Sequence, residues 1–312
     1  MTPSPNCPLC ASAKSIQEDT LTTEDIQMIW RHVGVELSAN ALESLAGAEK
    51  ITRWRCQECR LAFFDPVLPG NGTFYSDLQH QLPDYYQPTR PAFDRALRFA
   101  KASGYSEVLD VGCGGGAFLD QAKRVGLRTM GLDLNPNGVT ECRKRGHDVR
   151  QQTAADFFRT TPERRFDLVT SFEVMEHVPN PADFFASAAA LIRPGGGLVF
   201  SVPNDSGLPG LARLIPHQWP PHHLTLWRGS NLKALAEKNR LQVVSIETDP
   251  LSWGMVRHFL NLQRGLEFTL GRRNSVPGNL IPRLAAWAYR FSGAQLWLPP
   301  QGTSITLTCR LD

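Results

Sequence analysis

The sequence has no apolar run approaching the ~18 residues that a membrane-spanning helix needs, and it opens as MTPSPNCPLC without a basic stretch followed by an apolar one. Neither a spanning segment nor a secretory or transit leader is predicted, which points to the cytoplasm. Charge of one sign is also missing. Lys and Arg number 33 against 30 Asp and Glu, a net charge of +3, and the two signs nearly balance between Met1 and Asp65. The basic footprint of a nucleic-acid binder is therefore absent. No internal repeat or low-complexity tract interrupts the chain. What remains is ordinary for a soluble protein, 42% hydrophobic and 20% charged, and 312 residues suffice for an α/β core of about 200 residues with appendages.

Four of the seven cysteines form two CxxC pairs, Cys7 with Cys10 and Cys56 with Cys59, separated by about 45 residues that include an amphipathic helical stretch around Glu24 to Val33. In a reducing compartment such pairs are metal ligands, plain core thiols or a redox couple. Neither pair lies in a βαβ context, which disfavours the redox reading. Two knuckles of this kind supply the four sulfurs of a closed, structural zinc site, and the long insert is the feature that fits it least.

From Asp65 to Pro91 the chain is rich in Pro, Gly and aromatic residues and reads as a connector without regular periodicity. Beyond it, short apolar runs (EVLDVG, RTMGLDL, HDVRQQ, FDLVTSF, GLVFSVPN) alternate with helical segments, the pattern of parallel strands and crossover helices. A helix SNLKALAEKNR, a strand LQVVSIET and a closing strand TSITLTCRL follow. The expected organisation is a zinc-binding module over 1–66, a connector and lid helix over 67–100, an α/β core over 101–250, a helical insertion over 251–300 and a final core strand over 301–312. The insertion carries Trp253, Phe259, Phe268, Trp287, Tyr289, Phe291 and Trp297 among six arginines and one acid, Glu267. It reads as a cap over the active site or a homodimer contact, with peripheral membrane contact as a further possibility.

The run EVLDVG leads into Gly112, Cys113, Gly114, Gly115 and Gly116, so the backbone can turn sharply at the carboxyl end of a parallel strand and approach a ligand closely. Gly112, Gly114 and Ala117 also satisfy a relaxed dinucleotide pattern. Asp110 separates the two readings. A carboxylate there repels a pyrophosphate but attracts the ammonium and sulfonium of S-adenosylmethionine. Asp133, at the end of the second strand of the core, can accept hydrogen bonds from ribose hydroxyls with either cofactor. Asp156, in AADFF, is a candidate for the adenine amino group or a helix cap.

These segments, together with FDLVTSFEVMEHVPNP, LIRPGGGLVFSVPN and PPHHLTLW, resemble the ubiquinone-biosynthesis-like group of class I methyltransferases over about Glu107 to Pro250. The resemblance implies a Rossmann-like, seven-stranded α/β sheet with an antiparallel final strand and a cofactor role for Asp110, Gly112, Gly114, Gly116 and Asp133. Asp156 is a looser match to the adenine position, and Phe172 and Glu173 match the position facing the donor methyl and its acceptor. The cysteine pairs are similar to zinc modules of sugar methyltransferases, whose further C-terminal lobe this chain lacks. Their substrate assignment therefore does not carry over, and the expected acceptor is a small molecule: a sugar, lipid-linked or secondary-metabolite intermediate, methylated on oxygen or carbon.

Aligning acceptor, carbon and sulfur is most of the chemistry of methyl transfer, and an acidic acceptor also needs a base. His222 and His223 are candidates, as is His177, which could equally be structural. EVMEH is not the HExxH of zinc proteases. His217, His222 and His223 are not predicted to bind metal, since no carboxylate or cysteine is grouped with them. Tyr75, Tyr85 and Tyr86 could line the acceptor pocket or staple the zinc module to the core. An NAD-binding oxidoreductase and a non-catalytic scaffold remain the competing functions.

Overall fold

The computed structural model describes residues 4–82, 85, 87–250, 253–271 and 302–312. Its strands are β1 (Ser15–Thr22), β2 (Lys50–Cys56), β3 (Ala62–Asp65), β4 (Glu107–Val111), β5 (Arg128–Leu132), β6 (Asp148–Arg150), β7 (Phe166–Phe172), β8 (Ile192–Pro203), β9 (Thr225–Leu226), β10 (Gln242–Thr248) and β11 (Ser304–Arg310). Its helices are α1 (Thr23–His32), α2 (Ala39–Leu42), α3 (Gly72–Gln81), α4 (Pro91–Ser103), α5 (Ala117–Arg124), α6 (Pro136–Lys144), α7 (Ala154–Thr160), α8 (Pro181–Ala189), α9 (Leu208–Leu211), α10 (Gly229–Lys238) and α11 (Trp253–Thr269).

Seven strands form the main sheet in the order β10-β11-β8-β7-β4-β5-β6. β4, β5, β6, β7 and β8 run parallel, while β11 lies antiparallel between β8 and β10. The buried strands are nearly continuous apolar runs, as sheets covered on both faces require. In β7 only Asp167 is not buried. The chain starts in the middle at β4, winds outward through β5 and β6, then crosses back to β7 on the other side. This reversal leaves a crevice beyond the carboxyl ends of β4 and β7, where ligands of open α/β sheets bind.

The N-terminal segment makes a second sheet, β1-β2-β3-β9. Thr22 and Asp25 exchange side-chain and backbone hydrogen bonds in a capping box that starts α1, and Trp30 of that helix is fully buried. The fourth strand comes from far along the chain: Phe63 and Ala62 of β3 pair with Thr225 and Leu226 of β9. An ionic cluster reinforces the junction. Asp205, just past β8, accepts hydrogen bonds from Arg53 (2.9 Å), Arg55 (2.7 Å) and Arg228 (2.9 Å), while Glu18 faces Arg53 at 2.9 Å and pairs with Arg55.

The connector differs from its reading as irregular chain. Gly72–Gln81 is helical, capped by Asn71, whose side chain accepts from the Phe74 amide at 2.8 Å. Only Phe74 and Leu78 of this helix are buried; a contact stripe so narrow in a polar segment leaves little periodicity to read.

Candidate functional site

A cavity of about 1980 Å³ opens at the crevice. Single-ligand pockets run to roughly 1,000 Å³, so this one has room for a donor and an acceptor together. One end is built by the glycine loop. Gly112, Gly114 and Gly116 hold φ of 78°, 51° and 80°, the left-handed region that favours glycine. Gly116 lies behind the cavity wall and turns the chain into α5. Asp133 holds the loop in place, accepting from the Gly114 amide (2.7 Å) and the Asn135 amide (2.7 Å). α6 abuts the loop so closely that a Cβ on Gly138 would lie 2.9 Å from the Gly114 carbonyl oxygen.

Asp110 is buried at the end of β4 and accepts a hydrogen bond from Thr170 Oγ1 at 2.8 Å. Burial pushes its carboxyl up to about 7; the Thr170 hydrogen bond opposes the rise and nearby Asp133 adds to it. Burial also raises Asp133, against the hydrogen bonds from the loop amides. Two carboxylates and a loop with glycine at 112, 114 and 115 fit a ligand with an amino group, a ribose and positive charge. Thr153 and Ala154 line the adjoining wall. Asp156 does not: its carboxylate binds Thr153 Oγ1 (2.8 Å) and Arg159 (2.7 Å) at the start of α7. The structure thus gives Asp156 a capping environment.

Phe172 and Glu173 line the middle of the cavity. Glu173 directly follows β7 with φ of 55°, a conformation costly for a residue with a Cβ and typical of functional sites. Its carboxylate accepts from Ser201 Oγ at 3.0 Å and lies 4.0 Å from Arg90. Burial raises its pKa, against the Arg90 charge and the Ser201 hydrogen bond.

The far end gathers groups distant in sequence. A short 3-10 turn, Met175–His177, and the 216–224 loop bring together His177, His222 and His223, whose ligating atoms all lie within 4.8 Å of one another. His217 packs on His222 with ring centroids 5.1 Å apart. Glu176 stands beside them, 3.8 Å from His177 Nε2 and 4.0 Å from His223 Nε2. Among the described residues neither of its buried carboxylate oxygens has a hydrogen-bond partner. Burial holds His177 and His217 down to about 4 and pushes His222 and His223 well below the usual imidazole range. The same burial raises Glu176 well above the carboxylate range. The expectation that no carboxylate groups with the histidines is therefore corrected. The acid was visible as the fourth residue of EVMEH, but only the return of the 216–224 loop supplies its neighbours.

Tyrosines fix these rings. Tyr85 Oη lies 3.0 Å from His222 Nε2 and Tyr75 Oη 3.4 Å from His177 Nδ1; Tyr86 lies outside the described residues. Met255, His258 and Phe259 of α11 wall the same cavity. The remainder of the predicted insertion, 272–300, falls outside the described residues.

The two CxxC pairs meet at the start of the chain's first hairpin. β1 and β2 pair so that Ser15 sits opposite Cys56, which is how the long insert closes on itself. Cys7 and Cys59 sulfurs are 3.5 Å apart, Cys10 and Cys56 3.6 Å, and all four lie within 4.8 Å. Tetrahedral thiolates on a metal at ~2.3 Å would be about 3.8 Å apart. Each knuckle ends in the same turn, with Ala11 and Arg60 at φ of 58° and 68°.

Among the described residues no helix is long and apolar enough to cross a membrane. A methyltransferase-domain model matches residues 78–246. The ubiquinone biosynthesis O-methyltransferase of Nitrosococcus oceani is 35% identical over 200 residues, 58% of this chain and 84% of that protein. Its counterpart in Aliivibrio fischeri is 27% identical over 195 residues, 56% of this chain and 82% of that protein. A solved methyltransferase from Archaeoglobus fulgidus, described as SAM-dependent, aligns over 70% of this chain and 92% of its own with 19% identity and a TM-score of 0.49. With the glycine loop, both aspartates and the Glu176 turn all inside the matched span, the chain belongs to the class I S-adenosylmethionine-dependent methyltransferases.

Proposed function

We propose that this enzyme methylates a hydroxyl group of a small-molecule acceptor seated between Phe172, Glu173 and the Glu176–His177–His222–His223 cluster. The observation that carries the reading is the Glu176 carboxylate, buried without a hydrogen-bond partner among the described residues and facing neutral imidazoles in the donor's own cavity. S-Adenosylmethionine supplies an activated methyl group on a sulfonium, so the protein's task is alignment and removal of the acceptor proton. Asp110 and Asp133 bind the donor end, and the glycine loop admits it closely.

At the acceptor end His177 and His222 donate their Nδ1 protons to the carbonyls of His222 (2.6 Å) and His217 (3.1 Å), since a carbonyl can only accept. That leaves the His177 Nε2 lone pair available, while the His222 Nε2 accepts from the Tyr85 hydroxyl at 3.0 Å, with Glu176 as a latent negative charge. A cation arriving there would favour the ionised form of Glu176, whose proton would leave through the cavity that it lines. The donor set of neutral imidazoles, oriented by backbone carbonyls, and one carboxylate fits a divalent metal. Such an ion would lower the pKa of a bound hydroxyl. The relatives' names, which specify O-methylation, support the choice of oxygen.

For the four cysteines we propose a structural zinc ion, supported by the sulfur spacing and the twin turns. The test of the functional reading is transfer from isotope-labelled S-adenosylmethionine to a panel of phenols, catechols and sugar alcohols. It is run with and without added Mg²⁺ or Mn²⁺ and compared with Glu176→Gln. Hydroxyl methylation that the variant loses supports it. Transfer only to nitrogen or carbon, or a fully active variant, overturns it.

A further inference from the structure

A short run of backbone joins the four-cysteine site to the acceptor end of the cavity. The two knuckles are one turn made twice. The Cys7 amide donates to the Ser12 carbonyl oxygen (2.9 Å) and the Cys56 amide to that of Leu61 (3.0 Å), while Ala11 and Arg60 donate back to the carbonyls of Cys7 and Cys56. The second knuckle runs directly into β3, whose Ala62 and Phe63 pair with Leu226 and Thr225 of β9. Just ahead of β9 stand His222 and His223. Here the Leu224 amide donates to the Glu176 carbonyl oxygen at 2.7 Å, and the Pro221 carbonyl accepts from the Gly70 amide at 2.8 Å.

The 221–226 stretch thus hangs by backbone hydrogen bonds between the knuckle strand on one side and the Glu176 turn on the other. Two side chains tighten the link. Asn231 of α10 donates to the Cys59 carbonyl oxygen, and Trp30 of α1 sets its ring 4.9 Å from that of His217 and 6.0 Å from that of His222. Besides the sulfurs, the knuckles are joined through Lys14, whose carbonyl accepts from the Gln57 amide at 2.9 Å and whose ammonium pairs with Glu58 at the surface. A metal ion on the four sulfurs would lock this junction, because binding to such a site is also folding energy. The donor end is held by other parts: Asp133 fixes the Gly114 amide, and β4 is paired with β5 and β7.

We propose, resting on the zinc and acceptor readings above, that the ion at Cys7, Cys10, Cys56 and Cys59 controls the acceptor end of the cavity and not the donor end. With the ion lost, β3 releases β9 and the loop bearing His222 and His223 comes away from Glu176. The glycine loop and its two aspartates stay in place. The chain then holds S-adenosylmethionine without aligning an acceptor against it.

Hydrogen–deuterium exchange of the full chain reads both ends, beside its zinc content and its calorimetric affinity for S-adenosylhomocysteine. A chelator would also strip an ion from the histidines, so the deciding sample is Cys10→Ser, which removes the exposed ligand of the four. Should that variant not fold, the parent stripped with EDTA and supplied with Mg²⁺ alone replaces it. The parent is expected to carry zinc. The metal-free chain should exchange about tenfold faster over 62–65 and 216–227, within the usual range of a coupling between two sites. Exchange over 107–135 and S-adenosylhomocysteine affinity should not change, and Zn²⁺ returned to the stripped parent should restore protection. Unchanged exchange at 216–227, or an equal rise over 107–135 that marks general unfolding, overturns this proposal alone. A parent chain that binds no zinc overturns the zinc reading together with it.

Discussion

His177 Nδ1 lies 2.6 Å from the carbonyl oxygen of His222, so the backbone of one cluster member fixes the tautomer of another and turns the His177 Nε2 lone pair toward Glu176. His177→Ala or Glu176→Gln is expected to lower kcat by about 10²-fold or more, the scale of lost proton-transfer assistance. S-Adenosylhomocysteine affinity should stay unchanged, because neither group touches the glycine loop. Steady-state kinetics beside calorimetry checks this.

Asp110 yields a pH prediction. Its folded pKa of about 7 stands above the unfolded value of 3.8, so the stability it contributes is complete below about 4 and is lost as pH rises through 7. A cationic donor favours the ionised form. Donor affinity is therefore expected to rise with pH through about 7, and the donor's thermal stabilisation of the protein to grow in step. In Asp110→Asn both profiles should be flat, with weaker binding throughout.

Gly138→Ala separates helix stability from ligand binding. Alanine improves helix propensity by about 1 kcal/mol, but its Cβ would meet the Gly114 carbonyl oxygen at 2.9 Å, a backbone atom with no rotamer to yield. The expected variant melts no lower than the parent and binds S-adenosylhomocysteine about tenfold more weakly, within the usual range of a site-to-site coupling. Calorimetric titration and a thermal melt read the two effects apart.

Asp205→Asn tests the junction between the two sheets. Asp205 is 5% exposed and shares its two oxygens among three arginines, of which Arg53 is fully buried. Removing one partner of such a cluster leaves buried charge uncompensated and costs about 3–5 kcal/mol. The midpoint of urea unfolding should fall accordingly, whereas Asp156→Asn, at a half-buried cap, should shift it by about 1 kcal/mol or less.

The donor end was legible because it is local chemistry: left-handed glycines after an apolar strand, with Asp110 and Asp133 at the ends of successive strands, keep a fixed spacing wherever the turn forms. The cysteine knuckles were legible for the same reason. The acceptor end was legible only in part: His177, His222 and His223 stood out one by one, and Glu176 did not. Glu176 gains meaning only when His222 and His223, some 46 residues on, fold back over it. Asp156 offered two readings that only its Thr153 and Arg159 contacts distinguish. The helix at Gly72–Gln81 buries just two side chains, too few for a periodic signal, and a two-residue strand at Thr225 carries none.

That two-residue strand has a practical consequence. Trimming the chain to 67–312, the stretch that holds every methyl-transfer motif, would strip β9 of the strand it pairs with, strand Asp205 without Arg53 and Arg55, and loosen the loop that bears His222 and His223. The smallest unit worth expressing, or transplanting into another protein, begins upstream of the first cysteine, because the chamber's far wall is hung from residues that no catalytic motif contains.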